Sequence, residues 1–137
     1  MTQILATDLW NIRLYEDQAY LGRCVISLNR DCTSLSEVTD DEFVEFHQIV
    51  KKLETALKKS FNATMFNWTC LMNNAYKKEP PKPWVHWHFR PRYNQQVEFE
   101  NEIFEDPEFA QHYSRERKRI VSAKFLEKIA SRIKENL

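Results

Sequence analysis

One glycine, Gly22, serves the whole 137-residue chain. A Walker loop, a dinucleotide fingerprint and a nucleophile elbow each need two or more glycines at fixed spacing. Those three chemistries are excluded. Hydrophobic residues make up 42% of the chain and aromatics 13%, enough to build a core, so wholesale disorder is excluded as well. The length suits a single domain over 1–137, with its core at about 10–105 and a C-terminal helical segment at about 107–137. Twenty basic and twenty acidic side chains cancel, which removes the general attraction that strongly basic proteins have for nucleic acid. Cys24, Cys32 and Cys70 are an odd count with no C-x-x-C pair, against both a disulfide framework and a zinc ribbon. No apolar run nears the roughly 18 residues of a membrane span, and Met1 to Trp10 has no signal-peptide pattern. The expected setting is cytoplasmic.

Trp10 to Tyr15 alternates apolar and polar residues and reads as a half-buried strand, with Arg23 to Leu28 as its partner beyond a polar turn. The strongest helix signal begins at Thr39, which with Glu42 satisfies a capping box. Asp40 and Asp41 suit the start of that helix and Lys58 and Lys59 its end. Phe43, Phe46, Val50, Leu53 and Leu57 form its predicted apolar stripe. Ala63 to Met72 and Trp84 to Arg90 read as strands, and Val97 to Ile103 as an acidic edge strand with Val97, Phe99 and Ile103 on one face. A last helix is expected from Ser122, with Phe125, Leu126, Ile129 and Ile133 on one side. The fold class is α+β: an antiparallel meander sheet with one long helix packed on it and a C-terminal helix.

The segment that carries chemistry is Trp84 to Tyr93, WVHWHFRPRY. Side chains alternate along a strand, so Val85, Trp87 and Phe89 face the core while His86, His88 and Arg90 share the other face. Two imidazoles side by side are open to three readings: surface residues, a partial metal site, or phosphoryl chemistry. On pattern alone they rank in that order.

The same residues carry a resemblance to the histidine triad (HIT) superfamily of nucleotide hydrolases and transferases. It runs from about Trp10 to Tyr93 and includes Tyr20-Leu21-Gly22-Arg23, Leu35 to Glu42 at the helix start, and the strand ending in Pro91-Arg92. The family signature is His-φ-His-φ-His-φ-φ, with φ hydrophobic, often followed by Pro-Arg. Aligned on Pro91-Arg92, His88 takes the third histidine position and His86 the middle one, which the resemblance makes the nucleophile. Trp84 stands at the first position. There the family uses the backbone carbonyl to hold the nucleophile's Nδ1–H, and a Trp backbone supplies that carbonyl equally. Arg90 stands at a usually hydrophobic position, and Asn73 to Pro83 replaces a Gly-rich stretch.

The resemblance implies a nucleotide hydrolase cleaving a phosphoanhydride or phosphoramidate bond through a nucleotidyl-histidine. A dinucleoside polyphosphate is the favoured substrate, and His88 in third position points to hydrolase rather than transferase branches. Asn73, thirteen residues before His86, matches an amide that contacts the scissile phosphate, though it reads equally well as a loop residue. Arg23 stands where the family often has a histidine, and Glu16 or Asp17 would bond the ribose hydroxyls. The substrate-binding candidates are therefore Asn73, Arg23, Asp17 and Arg90. The histidine mechanism requires no cofactor and leaves a divalent metal unspecified. Lys77, Lys78 and Lys82 read as solvated charges, Trp87 as core, Cys70 as a buried small residue, and Arg115 to Arg119 as an exposed helical face with weak binding of polyphosphate or a nucleic acid as its alternative. The resemblance also implies a homodimer. A non-catalytic nucleotide-binding protein is the competing reading.

Overall fold

In β2 (Trp10–Leu14) the alternate residues Trp10, Ile12 and Leu14 are buried, and the strand is completed by β3 (Cys24–Leu28) pairing from Trp10–Leu28 to Leu14–Cys24. This is a computed structural model describing residues 1–137. Three more strands, β1 (Thr2–Ala6), β4 (Met65–Thr69) and β5 (His86–Arg92), extend the sheet in the order β1-β2-β3-β5-β4, antiparallel throughout. The first three strands form the expected meander. The chain then crosses through α1 (Asp40–Phe61), so that β5 lies inside and β4 takes the edge. β1 is absent from the sequence expectation because its register shifts between Gln3 and Leu5, which hides the period-two pattern.

Helix α1 starts as its residues dictate. Thr39 Oγ1 accepts from the Glu42 N–H at 3.2 Å, and Glu42 Oε1 accepts from the Thr39 N–H at 2.9 Å. Its buried stripe runs through Ile49, Leu53, Ala56 and Leu57, which corrects the expected one: Phe43 is exposed and Val50 only half-buried. The rotation is set from the sheet. Trp10 Nε1 donates to Glu42 O at 3.0 Å, and Phe46 stacks on Trp87 with centroids 4.9 Å apart. Those contacts turn Ile49 inward and Phe43 out. Gly22, with φ +88°, packs where a Cβ would meet the buried side chain of Leu57, so the only glycine holds the β2–β3 turn against the helix.

Three expectations are corrected beyond β4. The strand expected over 63–72 ends at Thr69, and Cys70 beyond it is half-buried. The acidic edge strand is a separate hairpin of β6 (Val97–Phe99) and β7 (Glu102–Phe104), closed by Glu100 and Asn101 at φ 52° and 63°. Phe99 and Phe104 are buried while Ile103 is 53% exposed. The run Arg115 to Arg119 is not helical, and of the expected C-terminal helical segment only α2 (Ala123–Lys134) is a helix. Its backbone is drawn into other bonds: Gln18 N–H donates to Arg119 O at 2.8 Å and Val121 N–H to Glu16 O at 3.1 Å. Helix α2 is capped by Ser122 and docks on its own chain, burying Leu126, Ile129, Ala130 and Ile133 in the main core.

The far end of β5 carries Arg92, fully buried on the face opposite that core. Its guanidinium makes a two-pronged pair with Asp106, at 2.7 and 3.1 Å. It also donates to Asn67 Oδ1, Glu108 O and Gln111 O. That network fastens the segment after β7 across the outer face of the sheet. Replacing Arg92 by Leu would strand the buried Asp106 carboxylate and two carbonyls. The expected cost is about 3–5 kcal/mol, measured by urea unfolding against wild type. A loss below about 1 kcal/mol would show that the segment is held by other contacts.

Candidate functional site

Along the outer face of β5 the even-numbered side chains run His86, His88, Arg90, Arg92. Burial rises in that order, from half-buried histidines to Arg90 at 7% exposed and Arg92 at 0%. The segment pinned by Arg92 covers the arginine end and leaves the histidine end open to a cleft of about 400 Å³. Across the sheet Ser27 lies beside His86, while Val25 and Thr69 flank His88.

His86 Nδ1 lies 2.7 Å from the Trp84 carbonyl oxygen. A carbonyl can only accept, so Nδ1 carries the proton and, in the neutral ring, Nε2 is left with its lone pair. Trp84 is itself tied down, since its indole Nε1 donates to Leu28 O at 2.8 Å. The side chain at the first histidine position thus fastens the carbonyl that orients the second. The His86 and His88 rings meet edge to face with centroids 5.0 Å apart.

His88 is pushed down to about 4, first by burial and then by His86 and the cations Arg90, Arg23 and Arg115. It is therefore a neutral imidazole at pH 7. Its Nδ1 is buried without a hydrogen-bond partner, as is Thr69 Oγ1 opposite. Arg90 is pushed down to about 10, mainly by burial, with Arg23 adding to it. Its guanidinium lies 3.9 Å from the centroid of the Tyr113 ring, and no carboxylate is within ion-pair distance.

The structure brings His86, His88, Arg90, Arg23 and Asn73 to one cleft. Asn73 opens a short 3-10 turn, Asn73–Lys77, and is exposed. Arg23 pairs with Asp17 at 3.0 Å and stacks on Tyr15 at 4.4 Å. Asp17, expected as a ribose-binding candidate, lies behind the cleft wall rather than on it. Its Oδ1 accepts from the Ala19 and Arg119 N–H groups and its Oδ2 from Arg23, leaving it a positioning part. Glu16 is occupied too, by the N-terminal amine of Met1.

Sequence reasoning missed the wall contributed by Tyr113, Ser114 and Arg115; Lys82 is exposed, as expected of a solvated charge, and also borders the cleft. The signal was the RERKR run, whose alternative reading was weak binding of polyphosphate or a nucleic acid. Arg23, Lys82, Arg90, Arg115, Arg117 and Lys118 all line the cleft, and no carboxylate does. A chain with no net charge has gathered cations at one place. A second cleft of about 430 Å³ opens on the other side, over Asn11, Arg13, Ser27 and Asn29, and His86 and Trp84 border both. No three His, Cys, Asp or Glu side chains group as metal ligands would, with His47 and His112 both elsewhere on the surface. No helix is long and apolar enough to cross a membrane.

The burial of His88 has a measurable sign. An unfolded His ionises near 6.5, whereas here it ionises near 4. Between those values the unfolded chain binds a proton that the folded chain does not, so stability falls as pH drops from about 6.5 to about 4. Above 6.5 this group contributes no pH dependence. Urea midpoints of wild type and His88→Asn at pH 7.5, 5.5 and 4.5 should show wild type losing ground to the variant as the pH falls. A difference constant across that range would contradict the burial of a neutral His88.

No protein-family model matches the sequence, and no curated protein does. Solved structures do match in shape. A histidine triad (HIT) protein from Sinorhizobium meliloti superposes with a TM-score of 0.74 at 20% identity, over 99% of this chain and 89% of that one. A histidine triad protein from Bradyrhizobium japonicum gives 0.71 at 13% identity, covering 98% and 88%. The Plasmodium falciparum diadenosine triphosphate hydrolase gives 0.65 at 14% identity, covering 97% and 74%. At these identities the likeness is one of architecture. The chain has the histidine triad fold.

Proposed function

We propose that this chain is a histidine triad protein that hydrolyses nucleotides, with His86 as the nucleophile. The observation that carries the reading is an imidazole with its Nε2 lone pair freed by the Trp84 carbonyl, in a cleft lined by cations and no carboxylate. Such surroundings suit an anionic electrophile whose charge grows and spreads in the transition state. In the first step Nε2 attacks phosphorus, the N–P bond forms, and the P–O bond to the leaving phosphate breaks. In the second, water attacks the same phosphorus, the N–P bond breaks, and a nucleoside monophosphate leaves. His88, neutral at pH 7, serves as a hydrogen-bond donor to a phosphoryl oxygen, and Asn73 as a second. A dinucleoside polyphosphate is the favoured substrate. The two clefts that meet at His86 give room to both halves of such a molecule, and one structural neighbour is a diadenosine triphosphate hydrolase. The histidine steps themselves call for no cofactor.

Release of AMP from diadenosine polyphosphates by wild type and His86→Ala tests this directly. The variant should lose at least about 10⁴-fold in kcat, with AMP still bound. Equal turnover by the two would remove His86 as nucleophile. Binding of AMP with no product from wild type would instead favour a non-catalytic nucleotide-binding protein, the reading to which Trp84 at the first histidine position gives its support.

We propose further that the chain forms a homodimer. β4 is an edge strand, and Phe43, Val44 and Met65 expose apolar surface on it and on α1. Light scattering should give a mass near twice 16.5 kDa. A single 16.5 kDa species throughout the micromolar range would exclude the dimer and leave the chemistry of His86 as it stands.

A further inference from the structure

Arg90 is an unusual cation to find where it is. It is 93% buried by residue surface, being 7% exposed, lines the cleft, and faces no carboxylate. Burying a charge is costly unless it is paired. The aromatic face of Tyr113 offsets part of that cost. Two further guanidinium groups, Arg23 and Arg115, are close enough to act on it electrostatically. Only Arg23 has an acidic partner, and Asp17 there is shared with Lys118 at 3.6 Å. Arg115 is exposed and makes no ion pair. The arginine end of the cleft therefore holds at least two positive charges that nothing in the chain answers.

This end is not where His86 acts. The phosphorus under attack must come within about 3–3.5 Å of Nε2. Arg90 is four residues along the strand, about 13 Å by Cα, with His88 between them. That spacing leaves room for a second phosphate beyond the one at His86.

We infer that Arg90, Arg23 and Arg115 form a second anion subsite, which binds another phosphate group of the same substrate, apart from the phosphate that His86 attacks. The inference rests on the nucleotide reading of the cleft and adds a demand on its substrate. That second phosphate is carried either across the sugar, as in a nucleoside bisphosphate, or further along a polyphosphate chain. Planar guanidinium groups suit it because each can offer two parallel N–H donors to phosphate oxygens. Tyr113 holds the Arg90 fork in place before the ligand arrives.

The test is a direct binding titration of the full chain carrying His86→Ala, so that no ligand is consumed. AMP, adenosine 3′,5′-bisphosphate and ATP are the three probes. At least one of the last two should bind about tenfold or more tighter than AMP, the strength of one added charge-assisted contact. Which of them does so places the second phosphate across the sugar or along the chain. Introducing Arg90→Leu should reduce that preference to threefold or less, and Arg115→Ala, at an exposed position, should lower it as well. The subsite is overturned if neither ligand is preferred to AMP, or if the preference survives Arg90→Leu. Should that variant fail to fold, a preference unchanged by Arg115→Ala overturns it. Because the ratio is read without turnover, failure of the histidine chemistry shows separately, as equal hydrolysis by wild type and His86→Ala.

Discussion

The pair between Arg92 and Asp106 decides what kind of surface this sheet presents. Both side chains are essentially inaccessible, at 0% and 1% exposure, and Arg92 donates to Asn67 and two backbone carbonyls besides. A bidentate pair with its other donors satisfied is the arrangement in which a buried charge is tolerated. Its consequence is spatial. Without it, the outer face of β5 would be an open strand bearing histidines and arginines to solvent. With it, the segment from Asp106 to Arg117 lies across that face and turns it into a cleft, bringing Tyr113 onto Arg90 and Arg115 to the rim. Arg117 adds to the clasp through Glu108 at 3.1 Å and Glu105 O at 3.0 Å.

The electrostatics of the cleft come from where acids have been placed elsewhere. Of the carboxylates that pair, Glu42 takes Arg30, Asp106 takes Arg92, Glu108 takes Arg117 and Glu102 takes Arg119. These pairs bind the helix start, the covering segment and the β6–β7 hairpin; of their arginines only Arg117 also lines the cleft, where Asp17 answers Arg23 and Lys118. Arg90, Arg115 and Lys82 are left without acids. Neutral net charge therefore says nothing about local potential: a sorting of partners makes one strongly positive region in a balanced chain.

The parts of this fold that sequence makes legible are those whose cause is local. Thr39 and Glu42 are three residues apart, so the capping box can be read directly, and so can Ser122 as a cap. The strand alternation that set His86, His88 and Arg90 on one face is local as well. What escaped had distant causes. The rotation of α1 is fixed by Trp10, 32 residues before the carbonyl its indole bonds. The non-helical course of Arg115 to Arg119 is fixed by Glu16 to Gln18, about a hundred residues earlier. Asp17 looked like a ribose ligand because a carboxylate after a strand is free in sequence terms, whereas its oxygens are taken by Arg23, by the Ala19 N–H and by the Arg119 N–H of a segment that folds back over it. The cleft wall at Tyr113 depends on Arg92 in the same way.

The two faces of the sheet also divide the costs of the fold. On the inner face Trp10, Ile12, Ile26 and Phe89 are buried with α1 against them, and the one polar atom there without a partner is Trp87 Nε1. On the outer face five such atoms occur: Asn11 Oδ1, Arg13 Nε, Arg23 Nε, Thr69 Oγ1 and His88 Nδ1. Unsatisfied buried groups cost about 1–3 kcal/mol each, and five of the six lie on the outer face. Their positions follow the pleat, since Asn11 and Arg13 on β2 stand opposite Ser27 and Val25, which in turn stand opposite His86 and His88. Polar side chains thus cross the sheet in a band at the level of the histidines from the second cleft to the first, with Val25 the one apolar residue among them. A fold built for stability alone would fill that band with apolar residues, as it does on the inner face. Keeping it polar makes the inner face the source of stability and the outer face the place where chemistry is held ready.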